Sequence, residues 1–251
     1  MNLSSSRYAI ITGAAGGIER ALVQEFHNNG YSGIATDMMD RPADLPCAHY
    51  VQADLGQTVS DAEYANRILA EMKNVIGKNG LRALVNNAAI QILGGVDTLT
   101  RNDWQATLNV NLLAPFFWTQ NLLPELEAAK GSVVNISSIH ARLTKKNFVA
   151  YATSKAALSG MTRAMVVDIG GRVRFNAIEP AAIETAMLKA GFAGKPELYQ
   201  QLQACHPLGR IGKPDEVAHL ALLMVRDDLG FLQGACVGLD GGIAGSLLDP
   251  I

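Results

Sequence analysis

The sequence predicts an α/β protein: a doubly wound parallel sheet of about seven strands with helices on both faces, in three α/β/α layers. Three observations carry this expectation. Seven short apolar runs alternate with longer segments of helical periodicity along the 251 residues, which is the pattern of repeated βαβ units. The runs are mostly apolar from end to end, as strands covered on both faces are. A glycine-rich turn, TGAAGGI, follows the first run and opens the first helical segment, where such folds begin their ligand crevice.

The expected strands are 8–12 (YAIIT), 32–36 (SGIAT), 48–52 (AHYVQ), 83–86 (ALVN), 132–137 (SVVNIS), 173–178 (VRFNAI) and 235–239 (ACVGL), with helices near 17–29, 58–76, 101–128, 151–169 and 214–226. Gly30, after Asn28 and Asn29, stops the first helix, and Pro214 falls in a first turn where its missing N–H costs nothing. Between Ala181 and Gly212, glycines and prolines break any single long helix. Residues 182–212 are therefore expected as a substrate lid, either mobile or an ordered helical insertion. No repeat or linker divides the chain, so 1–251 is expected to form one domain.

A net charge of −2 with scattered Lys and Arg gives no footprint for nucleic acid. The sequence has no 18-residue uncharged apolar run and no signal-peptide pattern, so neither a membrane span nor secretion is expected. The expected location is cytoplasmic. Cys47, Cys205 and Cys236 are odd in number and lack paired spacing, and His27, His49, His140, His206 and His219 never fall at metal-site spacing. No metal is expected, and the partner expected is a small molecule.

Gly13, Ala15, Gly17 and Ile18 lie in the turn where a backbone can approach a pyrophosphate and present the amides of a helix N-terminus to it. Asp37 ends the second strand, where a carboxylate can accept both ribose hydroxyls and would repel a 2′-phosphate. NAD is favoured over NADP on this ground, with a simple turn aspartate as the alternative. Asp54 and Leu55, after the third strand, are positioned to contact an adenine or to form a plain loop.

The most specific feature is NISSIHARLTKKNFVAYATSK, residues 135–155. Tyr151 and Lys155 are four apart on a helical stretch and share a face. The ammonium is expected to favour the phenolate and make the tyrosine a usable acid/base. Ser138, at a strand end, can offer its hydroxyl to the same carbonyl or carbinol oxygen. This is proton transfer matched to hydride transfer.

With TGAAGGI, Asp37, NNAA (86–89), NVNLLAPFF (109–117), NISS (135–138), YATSK (151–155), the segment from Pro180 to Thr185, LGRIGKPDEVA (208–218) and LDGG (239–242), the chain resembles the short-chain dehydrogenase/reductase family over nearly its whole length. The resemblance implies a Rossmann-like dinucleotide-binding and catalytic domain and an NAD(P)-dependent oxidoreductase acting on an alcohol or ketone. It also implies roles. Tyr151 would be the acid/base, Ser138 would position the substrate oxygen, Lys155 would bind the nicotinamide ribose, and Asn111 would hold a water in the proton relay. Asn86 to Ala88 would line the adenosine side, and Pro180, Ile183 and Thr185 would hold the nicotinamide end. Homotetramers, or dimers, are implied as well.

Three departures stand against that pattern. Glu19 replaces the last glycine of TGxxxGxG, Ala89 replaces the glycine of NNAG, and Ala181 replaces the glycine after Pro180. Glu19 is expected at the third helical position, either reaching back to the amides around Gly16 or turned outward beside Arg20. In the first placement it competes with a pyrophosphate and is expected to weaken binding roughly ten- to a hundredfold.

The substrate pocket is expected from Ser138, His140, Gln91, Tyr151 and Met187, with the segments 91–94 and 140–148 as walls. Arg142, Lys145 and Lys146 make this neighbourhood basic, which raises an anionic substrate, and Gln91 and His140 resemble family members acting on 3-hydroxy acids. Phe148 stands where those members carry a lysine, and a 3-oxoacyl reductase fits the same framework. A non-catalytic dinucleotide-binding protein is the reading from another class, supported by Glu19 and the missing glycines.

Overall fold

The computed structural model describes residues 7–14 and 16–247, with the side chain of Met187 left out. Among them, seven strands form one all-parallel sheet in the order β3-β2-β1-β4-β5-β6-β7. The strands are β1 (Arg7–Thr12), β2 (Tyr31–Asp37), β3 (His49–Gln52), β4 (Leu81–Asn86), β5 (Ser132–Ile136), β6 (Arg174–Pro180) and β7 (Cys236–Leu239). The order reverses at β1, between β2 and β4. That is the switch point, where sheets of this kind bind ligands in a crevice at the carboxyl ends of the strands.

Both faces of the sheet are covered, which is why its strands read as apolar runs. On one face, α1 (Gly17–Asn28) and α10 (Pro214–Val225) pack Leu22, Val23, Phe26, Val217, Ala221 and Met224 against Ala9, Ile11, Val85 and Val134. On the other, α3 (Ala62–Ile76) and α5 (Ala114–Asn121) bring Ile68, Met72 and Trp118 against Ile10, Ile34, Leu84 and Phe175. Ala9 and Ile11 thus face one layer and Ile10 the other, as the two-residue period of a strand requires. Each buried Leu, Ile, Val, Phe or Met side chain among them stabilises the fold by about 2 kcal/mol.

Two expected helices are divided. The stretch near 58–76 becomes α2 (Leu55–Ser60) and α3, because Asp61 takes an extended conformation and caps α3 through the Tyr64 amide. The stretch near 101–128 becomes α4 (Arg101–Leu108), a π-helical turn at Asn109–Leu113, α5, and α6 (Leu123–Ala128). Pro115 and Pro124 lack the N–H that a continuous helix needs there, and the Ala114 amide reaches back five residues to Asn109 O. The widened turn contains Asn111. The longest helix, α7 (Val149–Ile169), begins two residues before Tyr151. The 182–212 connection is not a structureless loop: it carries α8 (Ala186–Gly191) and α9 (Pro196–Ala204). Phe192 and Tyr199 meet edge to face across their junction, with centroids 5.7 Å apart.

No helix of the described residues is long and apolar enough to cross a membrane. No group of three or more His, Cys, Asp or Glu among them could hold a metal ion.

Candidate active site

The glycine-rich turn is shaped by its neighbours. Gly13 has φ 81° and lies so close to the next strand's exit that a Cβ on it would sit 2.8 Å from Ala88 Cα. Only glycine combines that φ with that approach. The Gly13 and Ala14 amides donate to Thr36 O at 2.7 and 3.0 Å, which brings the turn against the end of β2 and Asp37. Gly17 opens α1, and a Cβ on it would be 2.9 Å from the Thr185 methyl. The segment expected at the nicotinamide end therefore packs on the phosphate turn. Ile18 packs on the core, and Ala15 lies outside the described residues.

Glu19 takes the inward placement. It is the third residue of α1, whose N-cap Gly16 offers no side-chain cap, and it folds back so far that a Cβ on Gly16 would lie 2.8 Å from its Cδ. The carboxylate accepts hydrogen bonds from its own amide and from Asn87. Burial pushes its pKa up, its own amide and Asn87 pull it down, Asp37 adds repulsion, and Lys155 opposes that. The outward alternative beside Arg20 is overturned, and Arg20 pairs with Asp44 instead.

On the side expected to take adenosine, the Asp37 carboxylate accepts from Met39 N at 3.0 Å. Asp54 is the N-cap of α2, its Oδ1 accepting from Gly56 N (2.8 Å) and Gln57 N (3.2 Å), and Leu55 is buried. Asn86 turns into the sheet rather than the crevice, donating to Asn135 Oδ1 at 2.8 Å. Sequence reasoning gave the whole 86–88 stretch one role. The structure makes Asn87 the side chain at the crevice, tied to Thr12 O (3.0 Å) and to Glu19. The Thr12 hydroxyl accepts from the Asn87 and Ala88 amides at 3.0 and 3.1 Å.

Ser138, Tyr151, Lys155 and Asn111 converge at the ends of β4 and β5. Tyr151 hydrogen-bonds Ser138, and Ser138 Oγ accepts from His140 N at 3.2 Å. Lys155, 2% exposed, donates to Ile136 O at 2.8 Å, with Nζ 5.7 Å from the Tyr151 ring centroid. Burial pulls its pKa down to about 8 against the opposing charge of Glu19. Tyr151 corrects one expectation. Burial raises its pKa, the Ser138 bond opposes this, and the net direction is upward even with the ammonium 5.7 Å from the ring centroid. The physical reason is desolvation of the phenolate, while the ammonium is engaged by Ile136 O. Asn111 is fully buried and clamps two elements, accepting from Ile90 N (2.9 Å) and donating to Ile90 O (2.9 Å) and Ser154 Oγ (3.0 Å).

Behind these residues runs a buried chain that sequence reasoning missed. Ser137 Oγ donates to Lys155 O and meets Ser159 Oγ, each at 2.9 Å, and Ser159 donates to Glu179 Oε1 at 2.9 Å. Glu179 is 2% exposed and pairs with Arg142 at 2.7 Å. A carboxylate in the apolar strand NAIEP was the available signal, because a buried charge needs a partner. The pairing also corrects the basic neighbourhood around Ser138. Arg142 is neutralised, Lys145 lies 4.8 Å from the Phe148 ring centroid, and His140, stacked on Phe148 at 4.4 Å, has its pKa pulled down by burial and by Lys145.

The two expected walls do meet: Gly94 N donates to Asn147 O at 2.8 Å, and Gln91, at the start of the first wall, is exposed. Pro180 ends β6, Ile183 is buried and bridges Gly212, and Thr185 caps α8 through Leu188 N. The Met187 side chain lies outside the described residues. Both ends of the crevice thus suit a dinucleotide, and a carboxylate already faces the helix N-terminus between them.

The family described as enoyl-(acyl carrier protein) reductase matches residues 13–244. The chain is 33% identical over 243 residues to 3-oxoacyl-[acyl-carrier-protein] reductase FabG of Thermotoga maritima, covering 94% of this chain and 97% of that protein. It is 29% identical to NAD-dependent glycerol dehydrogenase of Listeria innocua, covering 95% and 94%. The solved structure of aldohexose dehydrogenase of Thermoplasma acidophilum, in ligand-free form, superposes with a TM-score of 0.90 at 27% identity, covering 98% and 97%.

Proposed function

The chain belongs to the short-chain dehydrogenase/reductase family, and on that premise we propose how its residues divide the work of an oxidoreductase acting on an alcohol or ketone. The cofactor is a nicotinamide dinucleotide, which supplies the hydride acceptor or donor. The observation that carries the assignment is the convergence of Tyr151, Ser138 and Lys155 beside a glycine-rich helix N-terminus.

Tyr151 is the acid/base. Its raised pKa keeps the phenol protonated at neutral pH, which suits it to give a proton to the oxygen of a ketone as the carbinol forms. Ser138 holds that oxygen through its hydroxyl. Lys155 supplies positive charge beneath the tyrosine and a donor for the nicotinamide ribose. Asn111 is a positioning residue through its clamp on Ile90 and Ser154. The water-holding role expected of it falls to its main-chain carbonyl, which Pro115, lacking an N–H, cannot bond as a helical residue four positions on would. Gly13, Gly17 and Ile18 form the pyrophosphate turn with Ala15; Asp54, Leu55, Asn87 and Ala88 flank the adenosine, with Asn86 behind them in the sheet; and Pro180, Ile183 and Thr185 flank the nicotinamide.

Gln91, His140 and Met187 border the substrate, with residues 182–212 as the lid of a single 1–251 domain. The stacked, largely neutral His140 and the apolar Phe148 favour an uncharged carbonyl or carbinol. A 3-oxoacyl group or a 3-hydroxy acid remains within the same chemistry. A homo-oligomer, tetramer or dimer, is supported by exposed apolar side chains such as Val167 on α7 and Phe231, and the cytoplasm is the proposed location.

NAD is the proposed preference over NADP, through Asp37. Asp37→Ser is expected to shift the ratio of NAD to NADP affinity by roughly a hundredfold toward NADP, equivalent to about 2.8 kcal/mol. Fluorescence titration of both reduced cofactors checks this, and an unchanged ratio removes Asp37 from the ribose site. The reading as a whole is tested by following NAD(P)H absorbance with alcohols, 3-hydroxy acids, sugars and their ketones. The non-catalytic alternative draws on Glu19. It predicts cofactor binding without turnover on any of them.

A further inference from the structure

Glu19 does more than weaken a cofactor site by its charge. Its carboxylate lies over Gly16 at the N-terminal end of α1, where unpaired amides and the helix dipole attract an anion. Asn87, from the segment after β4, donates to it. Lys155, from α7, is a fully buried ammonium whose charge favours the ionised carboxylate. Asp37, at the end of β2, repels it. The other charges on neighbouring elements are engaged elsewhere: Arg20 pairs with Asp44, and Glu184 with Lys189 at 3.0 Å. One carboxylate therefore joins the phosphate turn, the adenosine side and the catalytic lysine.

We propose that Glu19 is an internal occupant of the pyrophosphate cradle, holding the anion position in the free enzyme and giving up its charge there when a dinucleotide binds, as a neutral carboxyl still buried beside the phosphates, so that binding is coupled to uptake of a proton by Glu19. This rests on the dinucleotide reading above. Two anions cannot share the same few amides in a half-buried crevice without strong repulsion. The carboxyl that burial already favours in neutral form is the one that yields. As that carboxyl takes the proton, Lys155 loses the opposing charge, and its own charge then acts chiefly on Tyr151, whose ring centroid is 5.7 Å from Nζ. The departure from the family's glycine becomes a device in which cofactor arrival completes the catalytic pair.

Calorimetric titration of NADH into wild type, Glu19→Gln and Glu19→Gly tests this, run from mildly acidic to neutral pH in buffers of differing ionisation enthalpy. Wild type is expected to take up a proton on binding and to lose affinity as pH rises. The two variants are expected to bind roughly ten- to a hundredfold tighter near neutral pH, with no proton uptake and no slope across that range. In the free proteins, the Lys155 ammonium is expected to titrate at lower pH in Glu19→Gln than in wild type, read by lysine-selective NMR. Equal affinity and equal pH dependence in wild type and variants would overturn the proposal alone, as would a Lys155 titration unmoved by the substitution. Absence of binding of either NADH or NADPH to all three proteins would overturn the oxidoreductase reading and this proposal with it.

Discussion

Tyr151→Phe is expected to lower kcat by about a thousandfold, some 4 kcal/mol of transition-state stabilisation, while NADH affinity stays within about threefold of wild type. The substitution removes one oxygen from a half-buried ring whose position is fixed by packing. Tyr151 lies edge-on to both His140 and Phe148, with centroids 5.8 and 6.1 Å away. The ring therefore keeps its place when the hydroxyl is lost. Ser138 loses its partner in Tyr151 but still accepts from His140 N, so the strand end should not rearrange. The rival acid is His140. It is the nearest other titratable ring, but burial and Lys145 pull its pKa down, which leaves it short of a proton at neutral pH. Stopped-flow turnover together with equilibrium NADH binding distinguishes the two. A variant that kept more than about a tenth of the wild-type rate would move the proton donor to His140, and a parallel loss of binding would mark Tyr151 as structural.

The parts of this site that could be read from the chain are those fixed by short spacing. Tyr151 and Lys155 share a helix face because they are four apart, and Gly13 lies at a strand end because an apolar run stops there. The parallel sheet and its three layers followed from alternation, whereas the strand order β3-β2-β1-β4-β5-β6-β7 is set by pairings between distant segments. What could not be read depends on contacts between distant segments. Asn86 and Asn87 are adjacent and chemically identical. One faces Asn135 across the sheet and the other faces Glu19, and nothing in NNAA distinguishes them. The direction of Glu19 was undecided for the same reason: a third-position carboxylate can cap or turn outward, and Asn87 and Lys155, which draw it inward, lie far along the chain. The divided helices reflect Pro115, Pro124 and the extended backbone at Asp61 interrupting a correct apolar pattern. The basic cluster after Ser138 misled because Arg142 has its counter-ion on β6, in a strand whose apolar residues concealed Glu179.

Lys155→Met is expected to abolish measurable turnover and, in the free protein, to raise Tm by several degrees. The two effects share one cause. The ammonium is buried with a pKa pulled from near 10.5 down to about 8, so holding it charged inside the fold costs about 3 kcal/mol at neutral pH. Methionine fills a similar volume without a charge. That cost is already net of the attraction to Glu19, whose carboxyl can take a proton once the ammonium is gone, as its raised pKa favours. Against the gain stands the lost hydrogen bond to Ile136 O, about 1 kcal/mol. A net stabilisation of about 1–2 kcal/mol remains, or roughly 2–8 °C in a chain of this size. The pH dependence gives the argument its sign. Because the folded pKa lies below the unfolded one, the unfolded chain holds more protons between about pH 8 and 10.5, and wild type gains stability as pH rises through that window. The difference in Tm between variant and wild type should therefore be largest at neutral pH and shrink on the alkaline side, as calorimetric scans across that range would register. A destabilised variant, or a difference that did not shrink, would mean that the Glu19–Lys155 attraction outweighs desolvation and that the pair belongs to the fold. The expected pattern assigns the lysine's burial to catalysis, because a folded chain that is more stable without the ammonium has no structural reason to keep it.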